Sequence, residues 1–282
     1  MKTPSPDVSI VVAVRNDAAA LDATLRSIER QRPAAGSVEV VVVDGASTDG
    51  TVAVAERSAV PDLVISEPDD GIYDAMNKGA ARASGTWLHF LNAGDLFASD
   101  DALARVLRGL AQTDAAGRDW FVAGAAYVGG KVDGQVIANV PHRRWAHAHG
   151  LQPHCHQATW FRRTAFQALG GHSLEHSFVG DFDLILRFGL AGAPGQDRRV
   201  AISYLEGGLS AQRAAEVPRL LREVRRERLG LTGAARLGDD AIDLGVRVLT
   251  RGRRIGWWLR AAALYVPKRV GRRARASLAG QS

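Results

Sequence analysis

The sequence predicts an α/β fold: a mainly parallel sheet flanked by helices, then a more mixed half and a basic helical extension. Three observations predict it. Short apolar, β-branched segments alternate with amphipathic segments of helical period over the first 110 residues, as in parallel strands joined by crossover helices. From Trp120 onward that alternation loosens, with two strand-like segments joined through glycines. Charge then separates the two ends: residues 1–212 carry 19 Lys+Arg against 24 Asp+Glu, and residues 213–282 carry 17 against 6. The basic character therefore belongs to the last quarter of the chain. The division expected is an α/β domain over 1–212, with halves 1–112 and 113–212, and an extension over 213–282.

Residues 8–14, VSIVVAV, are almost continuously apolar, as a strand covered on both faces must be. Arg15-Asn16-Asp17 ends this strand. Asp17 stands where it caps a helix over 18–31, whose Leu21, Leu25 and Ile28 share one face. A turn over 33–37 leads to a second buried strand, 38–43, which ends on Asp44. The loop GASTDGT feeds a helix over 52–57. Residues 63–66 make a third strand, 72–83 a helix and 86–91 a fourth strand. Asp100 or Asp101 caps a helix over 102–110. Strands are expected over 120–128 and 135–140 around Gly129-Gly130, and an irregular His-rich loop over 142–157. Helices over 164–169 and 182–191, a strand over 200–205, a charged helix over 210–229 and a helical region from Asp239 follow. The last segment is 252–278.

With 282 residues, 46% of them hydrophobic, the chain can bury a sizeable core. Its single cysteine, Cys155, excludes an intrachain disulfide and suits a reducing compartment. No run of about 18 apolar residues predicts a membrane-spanning helix, and the apolar run at 8–14 is too short for a secretory signal. A cytoplasmic location is expected.

The stretch 66–95, SEPDDGIYDAMNKGAARASGTWLHFLNAGD, organises the rest. Its strand runs into Asn92-Ala93-Gly94-Asp95. Asp17, Asp44 and Asp95 thus follow three strands, and in a parallel sheet those ends share the edge where ligands bind. The plainer alternative for each is a turn or cap residue. The loop VVVDGASTDGT adds glycines that let the backbone approach a ligand, and hydroxyls that serve a ribose or cap a helix. Neither G-x-x-x-x-G-K-[ST] nor a G-x-G-x-x-G after the first strand occurs, so those two phosphate-binding loops are excluded.

Together VSIVVAVRND, VVVDGASTDGT, SEPDDGIYDAMNKGAARASG and FLNAGD resemble the nucleotide-binding half of a family 2 glycosyltransferase with the GT-A fold. The type is that of bacterial exopolysaccharide, capsule or lipopolysaccharide assembly. HCHQATWFRRTAFQALGGH and GDFDLILRF fit the same family, so the resemblance spans about residues 7–206. It implies inverting transfer of a sugar from a UDP- or GDP-sugar to a glycan or lipid-linked acceptor, with Mg²⁺ or Mn²⁺ as cofactor. The donor-binding aspartate falls on Asp44, with Val14, Asn16 and Asp17 as donor contacts beside it. The donor-contact helix supplies Asp74, Asn77 and Lys78. The metal-binding D-x-D motif falls on Asn92-Ala93-Gly94-Asp95 and keeps only its last carboxylate. Asp95 is therefore the expected metal ligand and Asn92 a donor contact; one carboxylate with phosphate oxygens and water is a workable shell for Mg²⁺. The catalytic base falls on Asp181, where the family's preceding Glu is replaced by Gly180. A helix cap worth ~0.3–1 kcal/mol is the plainer role for Asp181. His156, Gln157 and Asp183 are expected on the acceptor side, with Trp160 there or in the core.

Three features fall outside this pattern. The run His154-Cys155-His156-Gln157, with His147 and His149 nearby, invites zinc, but one-residue spacings do not match structural zinc pairs. Residues 256–266, with paired tryptophans, and the basic run 268–275 suit a helix in the inner membrane interface, or a packed helix with a solvated tail. Nucleic-acid binding by this tail has no fold motif behind it, and no nucleic-acid partner is expected. Two rival functions are a sugar nucleotidyltransferase, disfavoured because no Gly- and Arg-rich loop follows the first strand, and a non-catalytic nucleotide-sugar-binding scaffold. The missing acids at Asn92 and Gly180 encourage the second.

Overall fold

The computed structural model describes residues 5–31, 38–129, 133–176, 178–205 and 216–251, without the side chains of 246–251. The first strand, β1 (Val8–Val14), is followed by α1 (Ala18–Glu29), β2 (Val38–Asp44), α2 (Thr51–Arg57) and β3 (Leu63–Ser66). Helix α3 (Ile72–Arg82) then carries the chain to β4 (Trp87–Asn92) on the other side of β1. These four strands are parallel in the order β3-β2-β1-β4. The chain thus leaves β1 in both directions, which opens a crevice at the strand ends. Val14 stands opposite Asp44, and Ala13 opposite Asn92.

The continuous apolar run of β1 is explained by cover on both faces. Val8, Ile10, Val12 and Val14 pack with Leu21, Leu25 and Ile28 of α1 and with α4 (Ala102–Ala115). Val11 and Ala13 face the opposite way, toward Ala75, Met76 and Ala80 of α3. Each buried valine contributes roughly 1.5–3 kcal/mol. Helix α3 lies so close to the sheet that a Cβ at Gly79 would overlap Val11 and Val43.

The second half continues the same sheet with mixed direction. After the two-residue β5 (Leu96–Phe97) come β6 (Trp120–Val128), β7 (Val136–Ile137), α5 (Arg144–Ala148), β8 (Thr159–Arg162), α6 (Arg163–Ala168), α7 (Gly180–Ala191) and β9 (Gly195–Leu205). Strand β8 is antiparallel to both β4 and β6, and β9 runs parallel to β6. Phe166 of α6 and Leu184, Ile185 and Phe188 of α7 join the α3 face of the core.

Several expected boundaries shift. The strand expected over 135–140 closes after Ile137, because Asn139 and Pro141 turn their carbonyls to Gln152 Nε2. The loop expected over 142–157 contains α5 and a 3₁₀ turn at His156–Ala158. Strands β5 and β8, not expected at all, are short segments fixed by partners far along the chain. Strand β9 starts at Gly195 rather than near 200. Asp101 precedes α4, yet its carboxylate binds Ser99 and Arg105 rather than the helix backbone.

The described part of the extension is docked on the α/β domain. Helix α8 (Val217–Arg228) buries Val217, Leu221 and Val224 against Val179 and Leu186. Asp183, fully buried in α7, accepts from Arg187 Nε at 2.9 Å and from Arg228 Nε at 2.6 Å. Both its oxygens, expected on the acceptor side, are committed to guanidiniums, so Asp183 ties α7 to α8. Asp239 of α9 (Gly233–Arg251) likewise holds Arg225 and Arg226. Replacing Asp183 by Ala strands two guanidiniums and is expected to destabilise the protein by about 3 kcal/mol. Arg219→Ala, which breaks an exposed pair with Glu223, should change stability by under ~0.5 kcal/mol. Urea midpoints of the two variants check the contrast.

Among the described residues no helix is long and apolar enough to cross a membrane. The paired tryptophans Trp257 and Trp258 and the basic run 268–275 lie outside the described residues.

Candidate functional site

The edge formed by the ends of β1, β2 and β4 carries the polar groups singled out above. Asp44 is completely buried; its Oδ2 accepts from Ser47 N at 2.9 Å and Ser66 Oγ at 2.8 Å, while Oδ1 has no partner. A buried acceptor left unpaired costs roughly 1–3 kcal/mol, a penalty that a ligand with a donor group would remove. Val14 joins the edge through its carbonyl, which accepts from Gly45 N at 2.9 Å.

Two loops are stitched together in front of Asp44. Asn16, in the left-handed region at φ 51°, donates from its backbone to Ser47 Oγ at 2.7 Å and accepts from Thr48 N through Oδ1 at 2.8 Å. Asp17 donates from its N–H to Thr51 Oγ1 at 3.0 Å, and its carboxylate caps α1 through Ala20 N at 3.0 Å. Both residues are exposed, and their side chains already serve the loops. Asp69, not singled out from the sequence, rests its carboxylate against Gly45, where a Cβ would collide with it. The signal was present in SEPDDG, but adjacent aspartates before a helix read as a turn.

The β4 end is built around a tight turn. Gly94, at φ 98°, donates to Thr24 Oγ1 at 2.9 Å, and Thr24 in turn donates to the Asp95 carbonyl at 3.0 Å. The Asp95 carboxylate, 2% exposed, accepts only long bonds, from Asn92 N at 3.2 Å and Leu205 N at 3.3 Å. Burial pushes its pKa up to about 7. Asn92 Oδ1 is buried beside it with no partner. An acid short of donors next to an orphaned amide oxygen is an oxygen-only set, the kind that suits Mg²⁺ or Mn²⁺. Asn92 and Asp95 therefore fit a divalent cation.

Helix α3 contributes less freely than expected. Lys78 Nζ donates to Asp74 Oδ2 at 2.9 Å and to the Pro68 carbonyl at 2.6 Å, and lies 3.2 Å from Glu67. Burial pushes Asp74 up, but hydrogen bonds from Lys78 and the Asp70 N–H outweigh it, so the carboxyl lies below its usual range. Asn77 spends its amide on the backbone of His172, donating to the carbonyl at 2.9 Å and accepting from the N–H at 2.9 Å. It clamps α3 to the second half of the sheet, so its expected role as a donor contact is not what its hydrogen bonds show.

Asp181 begins α7 and is half-buried. Burial raises its pKa, while the Phe182 N–H at 2.7 Å and, after it, the neighbouring Tyr73 hydroxyl pull it back down. Tyr73 was missed because an aromatic on a helix reads as core. A Cβ at Gly180 would come within 2.8 Å of the Tyr73 ring. The glycine there makes room for a tyrosine that reaches the carboxylate. Burial pushes the Cys155 thiol up to about 12, with the charges of Asp95 and Asp181 adding to the rise. Tyr73→Phe removes a bond that favours ionised Asp181. The acidic limb of the activity profile should move to higher pH, with about a tenfold loss below it; an unmoved limb in a pH–rate measurement would contradict this coupling.

The acceptor-side expectations divide. His156 is buried, its Nε2 3.0 Å from His172 Nε2 and its ring stacked on Phe90 at 5.7 Å. Its contacts are those of a core residue. Gln157 is half-buried, with its Oε1 accepting from Cys155 Sγ at 3.3 Å. Trp160 is fully buried and stacked on His89 at 4.3 Å, which settles it as core.

A model of the family described as Glycosyl transferase family 2 matches residues 9–169. A PGL/p-HBAD biosynthesis glycosyltransferase of Mycobacterium tuberculosis (strain ATCC 25177 / H37Ra) is 36% identical over 199 residues, covering 65% of this chain and 70% of that protein. Among solved structures, Staphylococcus aureus TarS 1–349 in complex with UDP-GlcNAc superposes with a TM-score of 0.64 at 17% identity, over 92% of this chain and 76% of that one. The mannosyltransferase PcManGT of Pyrobaculum calidifontis, in complex with GDP-Man and Mn²⁺, gives 0.60 at 20% identity, over 99% and 80%. These likenesses show the fold, the curled and mostly parallel GT-A sheet that the motifs led one to expect.

Proposed function

The chain belongs to glycosyl transferase family 2, and from that premise we propose an inverting enzyme that moves a sugar from a nucleoside-diphosphate sugar to a hydroxyl acceptor. The observation that carries this reading is the strand edge itself. Asp44 and Asn92 flank the end of β1, each with a buried oxygen lacking a partner, and the buried Asp95 carboxylate accepts from Asn92 N in the turn that follows β4.

In this reading Asp44 accepts a hydrogen bond from the nucleoside, and the stitched loops at Asn16 and Asp17 shape the rim beside it. Asn92 and Asp95 would hold the divalent cation, which when bound supplies positive charge to the departing diphosphate. Asp181 takes the proton of the acceptor hydroxyl as its oxygen attacks the anomeric carbon from the face opposite the leaving group. The new C–O bond forms as the bond to the diphosphate breaks, so the configuration inverts. Burial of Asp181 makes its carboxylate a stronger base than one in water. The absence of a Glu before it does not argue for a non-catalytic scaffold, because Tyr73 fills that space.

The acceptor class is a surface glycan or its lipid-linked precursor, handled at the inner face of the membrane. The resemblance of the motifs to enzymes of bacterial surface-polysaccharide assembly supports this reading. A panel of UDP- and GDP-sugars, with and without Mg²⁺ or Mn²⁺, tests the donor half by nucleotide release and by thermal shift. One metal-dependent donor should stabilise the protein and be slowly hydrolysed. Failure of every donor to bind would sink the reading.

A further inference from the structure

We propose that His142, His147 and His154 form a second metal site, for a transition-metal dication of the zinc class, apart from the donor edge. The three side chains converge from the segment between β7 and β8. One ring nitrogen of each lies within 4.8 Å of the others, and the ring centroids are 5.0, 5.3 and 5.2 Å apart, nearly an equilateral triangle. Trp120 walls the cluster, touching all three rings, and Gly189 of α7 leaves room for the His147 ring, which a Cβ there would overlap.

The hydrogen bonding of the trio leaves lone pairs unused. His142 Nδ1 faces His154 Nε2 at 3.0 Å, so one of those nitrogens donates and the other accepts. His142 Nε2 is buried without a partner. His147 faces carbonyl oxygens on both sides, Gln152 at 3.2 Å and Ile185 at 3.1 Å, yet a neutral imidazole has only one N–H to give. A cation that accepts one lone pair from each ring would resolve this mismatch of donors and acceptors. His147 then keeps a single N–H for a backbone carbonyl, the usual way a ligating ring is oriented. An all-imidazole set without a carboxylate selects zinc or cobalt over Mg²⁺.

Of the run His154-Cys155-His156-Gln157, only His154 takes part; His156 is paired with His172. One-residue spacing could not reveal a trio with intervals of five and seven. The site pins the segment leading to Gln157 against Ile185 and Gly189, beyond Asp181 on α7.

The test uses the full chain purified without a polyhistidine tag. Elemental analysis should find about one zinc per chain. After chelation, Co²⁺ should restore a visible ligand-field absorption, and Zn²⁺ or Co²⁺, but not Mg²⁺, should raise the melting temperature. His142→Asn, at a half-buried position, and His154→Asn should abolish all three signals; Asp95→Asn should leave them intact. Folded wild-type protein that neither retains zinc nor responds to Co²⁺ would overturn the proposal without reference to any variant. So would signals that persist in the double histidine variant.

Discussion

Asp181→Asn is expected to lower turnover by roughly 10²–10⁴-fold, the range for removing a positioned general base, while donor binding by thermal shift stays within about twofold of wild type. The amide keeps an oxygen for the Phe182 N–H that the carboxylate accepts at 2.7 Å, so the start of α7 should hold its shape. What is lost is the capacity to take a proton. Because burial raises the Asp181 pKa, the wild-type enzyme should lose activity on the acid side at a pH above that of a solvated carboxylate. The residual activity of Asp181→Asn should lack that limb. Unchanged turnover in the variant would refute the assignment and return Asp181 to a helix-capping role.

The second large effect belongs to Asp95. Burial pushes its pKa up to about 7 from an ordinary value of 3.8, so between those values the native state holds a proton that the unfolded chain has lost. The group's contribution to stability is therefore fully present below pH ~4 and disappears as pH rises through about 7. At pH 8 the ligand-free protein carries a buried anion at a cost on the order of 4 kcal/mol. Asp95→Asn should accordingly melt at a higher temperature than wild type at pH 8, with the gap closing toward pH 4. The same substitution should abolish Mn²⁺-dependent stabilisation by the donor. A variant that is more stable yet unresponsive to metal is the signature of a residue kept for function at the expense of stability. If Asp95→Asn instead destabilises at pH 8 and still responds to Mn²⁺, Asp95 is a turn residue.

Some of the architecture was legible because local pattern and tertiary environment agree. Strands β1 and β2 are apolar at every core position since helices cover both faces, and near-continuous apolar runs are what doubly covered parallel strands require. Asp17 caps α1 through a neighbour three residues away, an interaction that sequence spacing encodes directly. Strands β5 and β8 have no such local signature. Two and four residues long, they are strands only because β9, β4 and β6 run beside them. Gly180 looked like a missing acid, when it is the space Tyr73 requires.

By itself, the sequence determined the class of fold and the order of motifs along one sheet edge, because periodicity, turn chemistry and strand-end carboxylates are properties of neighbouring residues. Only the tertiary structure decided which of those side chains remain free to meet a ligand. Asn77 is bound to His172, 95 positions away, Asp183 to Arg228, 45 away, and Asp95 touches Leu205, 110 away. The convergence of His142, His147 and His154 was decided the same way, by the packing of α5 and α7 against Trp120. A hydrogen bond commits a side chain wherever its partner comes from, and partners this distant leave no trace in local spacing.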